Sequence, residues 1–179
     1  MDNFLAEVER TLSLSFTEDR VVAGKKFRYV SLSSDDASRQ AFTLIGERCL
    51  DWAAHGTVFV GMKDGDKTHG VYAGPKVTPL EILVDFEVGT HNDWDEQQHD
   101  QTLRTMTELF ETAPFVAYFA DSAGYQVRFL GPVTDEQAKQ LQKQLEEVCF
   151  DAITLSLDRY GLELSEFVRK HRRLILWWD

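Results

Sequence analysis

The densest run of side chains able to do chemistry is His91-Asn92-Asp93-Trp94-Asp95-Glu96-Gln97-Gln98-His99-Asp100. Imidazoles and carboxylates are the ligand types that Zn²⁺, Mn²⁺ and Fe²⁺ take. Glu96 and His99 are three positions apart, which on a helix places both on one side. His91 and Asp93, in the loop before that helix, could complete a ligand set. The spacing is not His-Glu-x-x-His, however. Acids also gather in a first helical turn because they complement the dipole. The reading therefore assigns no metal and no cofactor, and keeps His91, Asp93, Glu96 and His99 as the candidate ligands.

Nucleophile motifs are missing from the rest of the chain. There is no Gly-x-Ser-x-Gly and no Walker A loop. Gly61-Met62-Lys63-Asp64-Gly65 contains glycines, but Asp64 and Asp66 would repel a phosphate. Cys49 and Cys149 lie on apolar stripes without a CxxC partner, which reads as two reduced core thiols in a cytoplasmic protein. No catalytic residue is assigned.

Charge carries more information. The 179 residues hold 30 acids and 19 Lys+Arg, for a net charge of −11. Nine of the acids lie between Glu81 and Glu111 against one base, Arg104. Such a field disfavours nucleic acid and anionic lipid, and it attracts a basic protein. The expected contact residues are Glu87, Asp93, Asp95, Glu96 and Asp100, with Trp94 as an aromatic anchor. The opposite charge is gathered in Arg169-Lys170-His171-Arg172-Arg173, just before Trp177-Trp178. Arginines beside aromatics can grip nucleic acid, but bases also belong at helix C-termini. We expect this run to pair internally with the acids of 81–111.

These features favour a non-enzymatic interaction protein, of immunity or inhibitor type, that binds a basic partner through an acidic face. One alternative is a metal-dependent hydrolase built on the His91–His99 region. Another is a small-ligand regulatory domain with an apolar pocket between sheet and helices.

The elements that position these residues can be read from periodicity. Phe4, Leu5, Val8 and Leu12 predict an amphipathic helix over 2–12. Strands are expected at 26–32, 57–62, 69–73, 115–120 and 125–129, with Asp64-Gly65-Asp66 as a hairpin turn. Ser33 to Asp36 suit the start of a helix that ends at Gly56, and Thr134 with Gln137 forms a capping box for another. A helix is expected over 95–112 and a further one over 163–170, while 150–160 fits helix or strand. Ile82, Val84, Phe86 and Val88 alternate with Glu81, Asp85 and Glu87, which predicts a half-buried strand with an acidic outer face. Segments 27–73 and 82–130 then share a βαββ order, a possible internal repeat. The expected fold is a single α+β domain over 1–179, mostly antiparallel, with helices packed on one face. Sub-lobes 1–74 and 80–179 are the alternative division. No apolar run reaches the roughly 20 residues of a membrane span, and residues 2–12 do not read as a secretory signal.

The last third resembles a known family. Pro132, Thr134, Glu136, Ala138, the Cys149–Asp151 pair and the terminal Trp177-Trp178-Asp179 are similar to a bacterial family of domains of unknown function, number forty-two fifty-three. Its members typically end in Phe-Trp-Trp-Asp. Phe150 stands where that family usually has Pro, and Gly131 replaces the first of two usual prolines. The resemblance implies a fold relation and no activity.

Leu174, Leu176 and Trp178 alternate with Ile175 and Trp177, so 174–178 should be an integral strand, apolar on both faces as in an inner strand. Deleting residues 174–179 should leave the protein insoluble or unfolded, because each large core side chain lost costs about 3–5 kcal/mol. Soluble expression and a cooperative melt of the truncated chain check this expectation.

Overall fold

The computed structural model describes residues 1–63, 66–89 and 96–178, with the side chains of Asp35, Glu96, Gln97, Gln98, Glu147 and Phe150 excepted. Among the described residues, seven strands form one sheet in the order β1-β2-β4-β3-β5-β6-β7. The strands are β1 (Glu18–Val22), β2 (Lys25–Ser31), β3 (Thr57–Gly61), β4 (Gly70–Gly74), β5 (Phe115–Asp121), β6 (Gly124–Phe129) and β7 (Arg173–Trp177). All neighbours are antiparallel except β3 and β5. The α+β class with a mostly antiparallel sheet is therefore observed.

Among the described residues, seven helices accompany the sheet: α1 (Asp2–Leu12), α2 (Asp35–Trp52), α3 (Pro79–Asp85), α4 (Glu96–Thr112), α5 (Asp135–Val148), α6 (Phe150–Tyr160) and α7 (Leu164–His171). They cover both faces, not one as the sequence suggests. Val58, Val60, Val71 and Ala73 point to α1 and α2, where Phe4, Val8, Ile45 and Trp52 complete one core. Phe59, Tyr72, Tyr125, Val127 and Phe129 point the opposite way, into a second core with α3, α4, α5 and α7. Strand residues alternate faces, and both sets here are apolar, so each face needs its own helical layer. No described helix is long and apolar enough to cross a membrane.

The largest correction falls on residues 81–88, where no strand forms: 81–85 lie in helix α3 and 86–88 in the turn after it. Thr78 Oγ1 accepts from Glu81 N at 3.1 Å, and Glu81 Oε2 accepts from Thr78 N at 2.6 Å. That capping box opens the helix, with Pro79 in its first turn, where a missing N–H costs nothing. Pro79, Ile82, Leu83 and Phe86 are buried, while Val84 is 48% exposed. Burial thus follows helical spacing, and the apparent alternation of 82, 84, 86 and 88 is incidental. The proposed βαββ repeat fails for the same reason, because its second copy has no opening strand.

The C-terminal strand forms as expected, but at the sheet edge. Among the described residues β7 pairs only with β6, and its neighbours α6 and α7 pack beside it. Leu174, Leu176 and Trp178 are buried, whereas Trp177 is 39% exposed and lies over Gly124. The basic run before it does not pair with the acids of 81–111 among the described residues. Arg169 bonds Asp135 at 2.7 Å, and Arg172 donates to the carbonyls of Phe129 and Leu130. Of the expected hairpin turn, Asp64 and Gly65 lie outside the described residues, and Asp66 accepts from Lys63 N.

An aromatic stack joins β2, β4 and β3 to the C-terminal end of α3. Tyr29 and Tyr72 are 4.8 Å apart, Tyr72 and Phe59 5.0 Å, and Phe59 and Phe86 5.2 Å. Gly70 makes room for it, because a Cβ there would fall inside the Tyr29 ring. Gly70→Ala should therefore destabilise the protein by about 1–3 kcal/mol, the usual cost of overpacking. A urea titration of the variant checks this, with a lower midpoint expected at unchanged slope.

Candidate functional site

The acidic segment is anchored at its two described ends. Helix α3 ends at Phe86, and the chain then turns through Glu87, whose φ of +49° is left-handed. Gly89 follows at φ +82°, and its N–H donates to Ser122 O at 2.9 Å, which fastens the end of this turn to the β5–β6 connection. The chain resumes at Glu96 with α4. His99, in that first turn, is half-buried, and its Nδ1 lies 2.9 Å from Val88 O. A carbonyl only accepts, so Nδ1 carries the proton. This bond clamps the start of α4 onto the end of α3. Glu87 and Asp100 each adjoin one partner of that bond, and both are exposed.

His91, Asp93, Trp94 and Asp95 lie outside the described residues, and the side chain of Glu96 is likewise not described. Of the expected contact residues, the structure therefore describes the side chains of Glu87 and Asp100, each next in sequence to one partner of that bond. Of the expected metal ligands it places His99 alone, and no group of three His, Cys, Asp or Glu suited to a metal occurs among the described residues. The bond to Val88 O is nonetheless the arrangement that orients ligating histidines, since it leaves Nε2 with the lone pair in the neutral ring.

Other acids of 81–111 serve the fold. Glu81 is part of the α3 cap, and the Thr78 backbone and side-chain bonds hold its carboxyl below the usual carboxylate range. Asp85 sits 2.5 Å from Lys63 Nζ, which also donates to Val21 O and lies over the Phe86 ring. Glu108 accepts from Gln144 Nε2 at 2.7 Å. Val84, one turn before Glu87 on α3, adds an exposed apolar side chain beside the acidic corner.

Sequence reasoning missed a second polar arrangement nearby, at the C-terminal end of β5. Asp121 is buried, with His69 Nε2 3.0 Å from its Oδ2 and Ala123 N donating to its Oδ1 at 3.0 Å. His69 packs against the Phe119 ring at 5.4 Å. Such a pair fixes the orientation of the imidazole. Its position matters because β3 and β5 are the parallel pair, and ligands of α/β sheets favour the carboxyl ends of parallel strands. The two residues are 52 positions apart, so no spacing motif could pair them. The one available signal was Asp121-Ser122-Ala123-Gly124, whose leading Asp suits a turn that bonds its own backbone.

Neither cysteine is placed for chemistry. Cys49 and Cys149 are buried and free, and burial pushes both thiols up to about 11. The Cys149 thiol donates to Trp177 O at 3.2 Å, which ties α5 to β7.

A comparison of the chain with protein-family models, curated proteins and solved structures finds no match. The resemblance of the C-terminal third thus stands on the residues that carry it.

The thiol environment predicts a pH dependence. At pH 8 roughly one thiol in a thousand is ionised when its pKa is about 11, against about a quarter for an unperturbed cysteine. A disulfide reagent should modify the native protein far more slowly than the urea-unfolded chain, and the native rate should rise up to pH 10. Timed mass spectrometry of the labelled protein checks both statements.

Proposed function

We propose that this chain is a non-enzymatic interaction protein that binds a basic protein partner through the corner where α3 meets α4. The reading is supported chiefly by one observation, the His99–Val88 bond, whose sequence neighbours Glu87 and Asp100 are both exposed. That segment supplies Asp93, Asp95 and Trp94 by sequence, and Glu96 opens the next helix. The net charge of −11 supports the polarity of the partner. Complementary fields raise the association rate and select against acidic competitors. Val84 and Trp94 would supply the apolar part of the contact, with aromatic residues favoured as anchors. The same proposal takes the protein to be of immunity or inhibitor type and to act in the cytoplasm, where two buried free thiols stay reduced. Kinship of the last third with the family of domains of unknown function belongs to it as well.

The orientation of His99 favours a second reading, a metal-dependent hydrolase with His99, His91, Asp93 and Glu96 around one ion. A metal there would lower the pKa of a bound water. Elemental analysis of untagged protein separates the readings. Stoichiometric metal that disappears in His99→Ala supports the hydrolase, and its absence supports the interaction protein.

The triple variant Glu87→Lys, Asp95→Lys, Asp100→Lys tests the main proposal. Wild-type protein immobilised at low salt should retain a basic protein from extracts of cells that produce it, and release it as salt rises. The variant should associate at least about tenfold more slowly, with a flatter salt dependence. Stopped-flow measurement at several salt concentrations reads both. Unchanged binding by a variant that still melts cooperatively contradicts the proposal.

A further inference from the structure

The face of the sheet that α2 leaves open carries a groove unrelated to the acidic corner. It lies between α2, strands β5 to β7, and the ends of α6 and α7, and its volume is about 150 Å³. Phe42 and Tyr118 line one side, 5.5 Å apart between ring centres. Tyr160, Phe167 and His171 line the other as a packed group, with Phe167 4.7 Å from Tyr160 and 4.9 Å from His171. Arg159 and Arg173 supply positive charge, and no carboxylate is among the lining residues.

The charges here are arranged against the interest of the empty fold. Arg173 on β7 stands directly opposite Arg128 on β6 in the sheet register. Like charges directly opposite in a sheet destabilise it. In a chain with 30 acids, both could have been given a carboxylate. Arg128 instead donates Nη1 to the carbonyls of Gly46 and Glu47, and its buried Nε has no partner. Among the described residues, the Arg173 guanidinium makes no hydrogen bond or ion pair. Four of the eleven arginines, Arg20, Arg28, Arg48 and Arg169, sit against carboxylates. Gln126 adds directed donors. Its Oε1 accepts from the Tyr118 hydroxyl at 2.9 Å, so its amide N–H groups are left to serve another acceptor.

We propose that this groove binds a small planar aromatic anion, one ring carrying a carboxylate or phosphate. The acid group meets Arg173 and the Gln126 amide, and it relieves the Arg128–Arg173 repulsion. The ring packs between Phe42 and Tyr160, with guanidinium groups at its edge. A space of about 150 Å³ suits a single ring, since an apolar cavity of that size takes benzene. The inference uses no residue of the acidic corner, and each stands or falls without the other.

Calorimetric titration with four probes tests it: 4-hydroxybenzoate, phenyl phosphate, inorganic phosphate and benzyl alcohol. At least one of the two aromatic anions should bind saturably, and which one does so names the acid group. Inorganic phosphate and benzyl alcohol, each offering half of the recognition, should bind at least about tenfold more weakly. Arg173→Leu should weaken the aromatic anion about tenfold or more, yet melt at a higher temperature than the ligand-free wild type because a like-charge pair is gone. Tyr160→Ser, at an exposed helix end, should also weaken binding, and Arg169→Gln, outside the groove, should not. The proposal is overturned if neither aromatic anion saturates below about 10 mM, if benzyl alcohol or inorganic phosphate binds as well, or if Arg173→Leu and Tyr160→Ser both bind like wild type.

Discussion

The seam between β3 and β5 is the constraint on which the rest of this structure depends. The chain builds one antiparallel group, β1-β2-β4-β3, and another, β5-β6-β7. These are joined by a parallel contact with two registered pairs, Val60 with Phe119 and Gly61 with Ala120. Met62 N adds a bond to Ala120 O at 3.2 Å. A short parallel pairing is weak in itself, so the burial of both faces must hold it. On one face α2 packs on both β3 and β5, and on the other α3 packs on β5 and carries Phe86 into the aromatic stack. Gly61 keeps the seam closed, because a Cβ there would lie 2.7 Å from the Phe86 ring.

Everything with functional interest is placed by that seam. The acidic corner hangs from it through Gly89 N to Ser122 O, just beyond the end of β5. The His69–Asp121 pair straddles it, with His69 from the chain before β4 and Asp121 from the end of β5. The aromatic groove lies on the second group, where β6 and β7 extend past the cover of α2. The charges divide the same way. Among the described residues, exposed Glu87 and Asp100 lie beside the α3–α4 junction, and Arg128 and Arg173 lie on the β6–β7 face.

Much of this was legible in the sequence because local signals and tertiary burial agree. Phe4, Val8 and Leu12 mark α1, and Thr134 with Gln137 marks the start of α5, by the spacing that the structure then uses. Residues 81–88 failed because an eight-residue window fits both periods. Ile82 and Phe86 satisfy alternation and helical spacing alike, and the deciding signal was Thr78-Pro79-Leu80-Glu81, a capping box upstream of the run. Strand β1 was missed because only Val22 is buried in it, which leaves no alternation to detect. β7 is apolar on both sides yet an edge, since α6 and α7 cover what a further strand would otherwise cover. The sites were less legible than the elements. Glu87 and Asp100 follow from charge counting, but His69–Asp121 and Arg128–Arg173 depend on strand register, which no local window contains.

The central physical claim is that the seam makes one cooperative body of the two strand groups and so fixes the surfaces on each. Native-state hydrogen exchange across low urea concentrations tests it most directly, read at the Met62 amide, which crosses the seam, and at Tyr72 and Val127, which lie in the centre of each group. The account predicts that all three amides exchange only through global unfolding, with the same free energy and the same urea dependence. Exchange of Met62 through a smaller opening, while Tyr72 and Val127 stay protected, would show two lobes that part at β3–β5 and would contradict it.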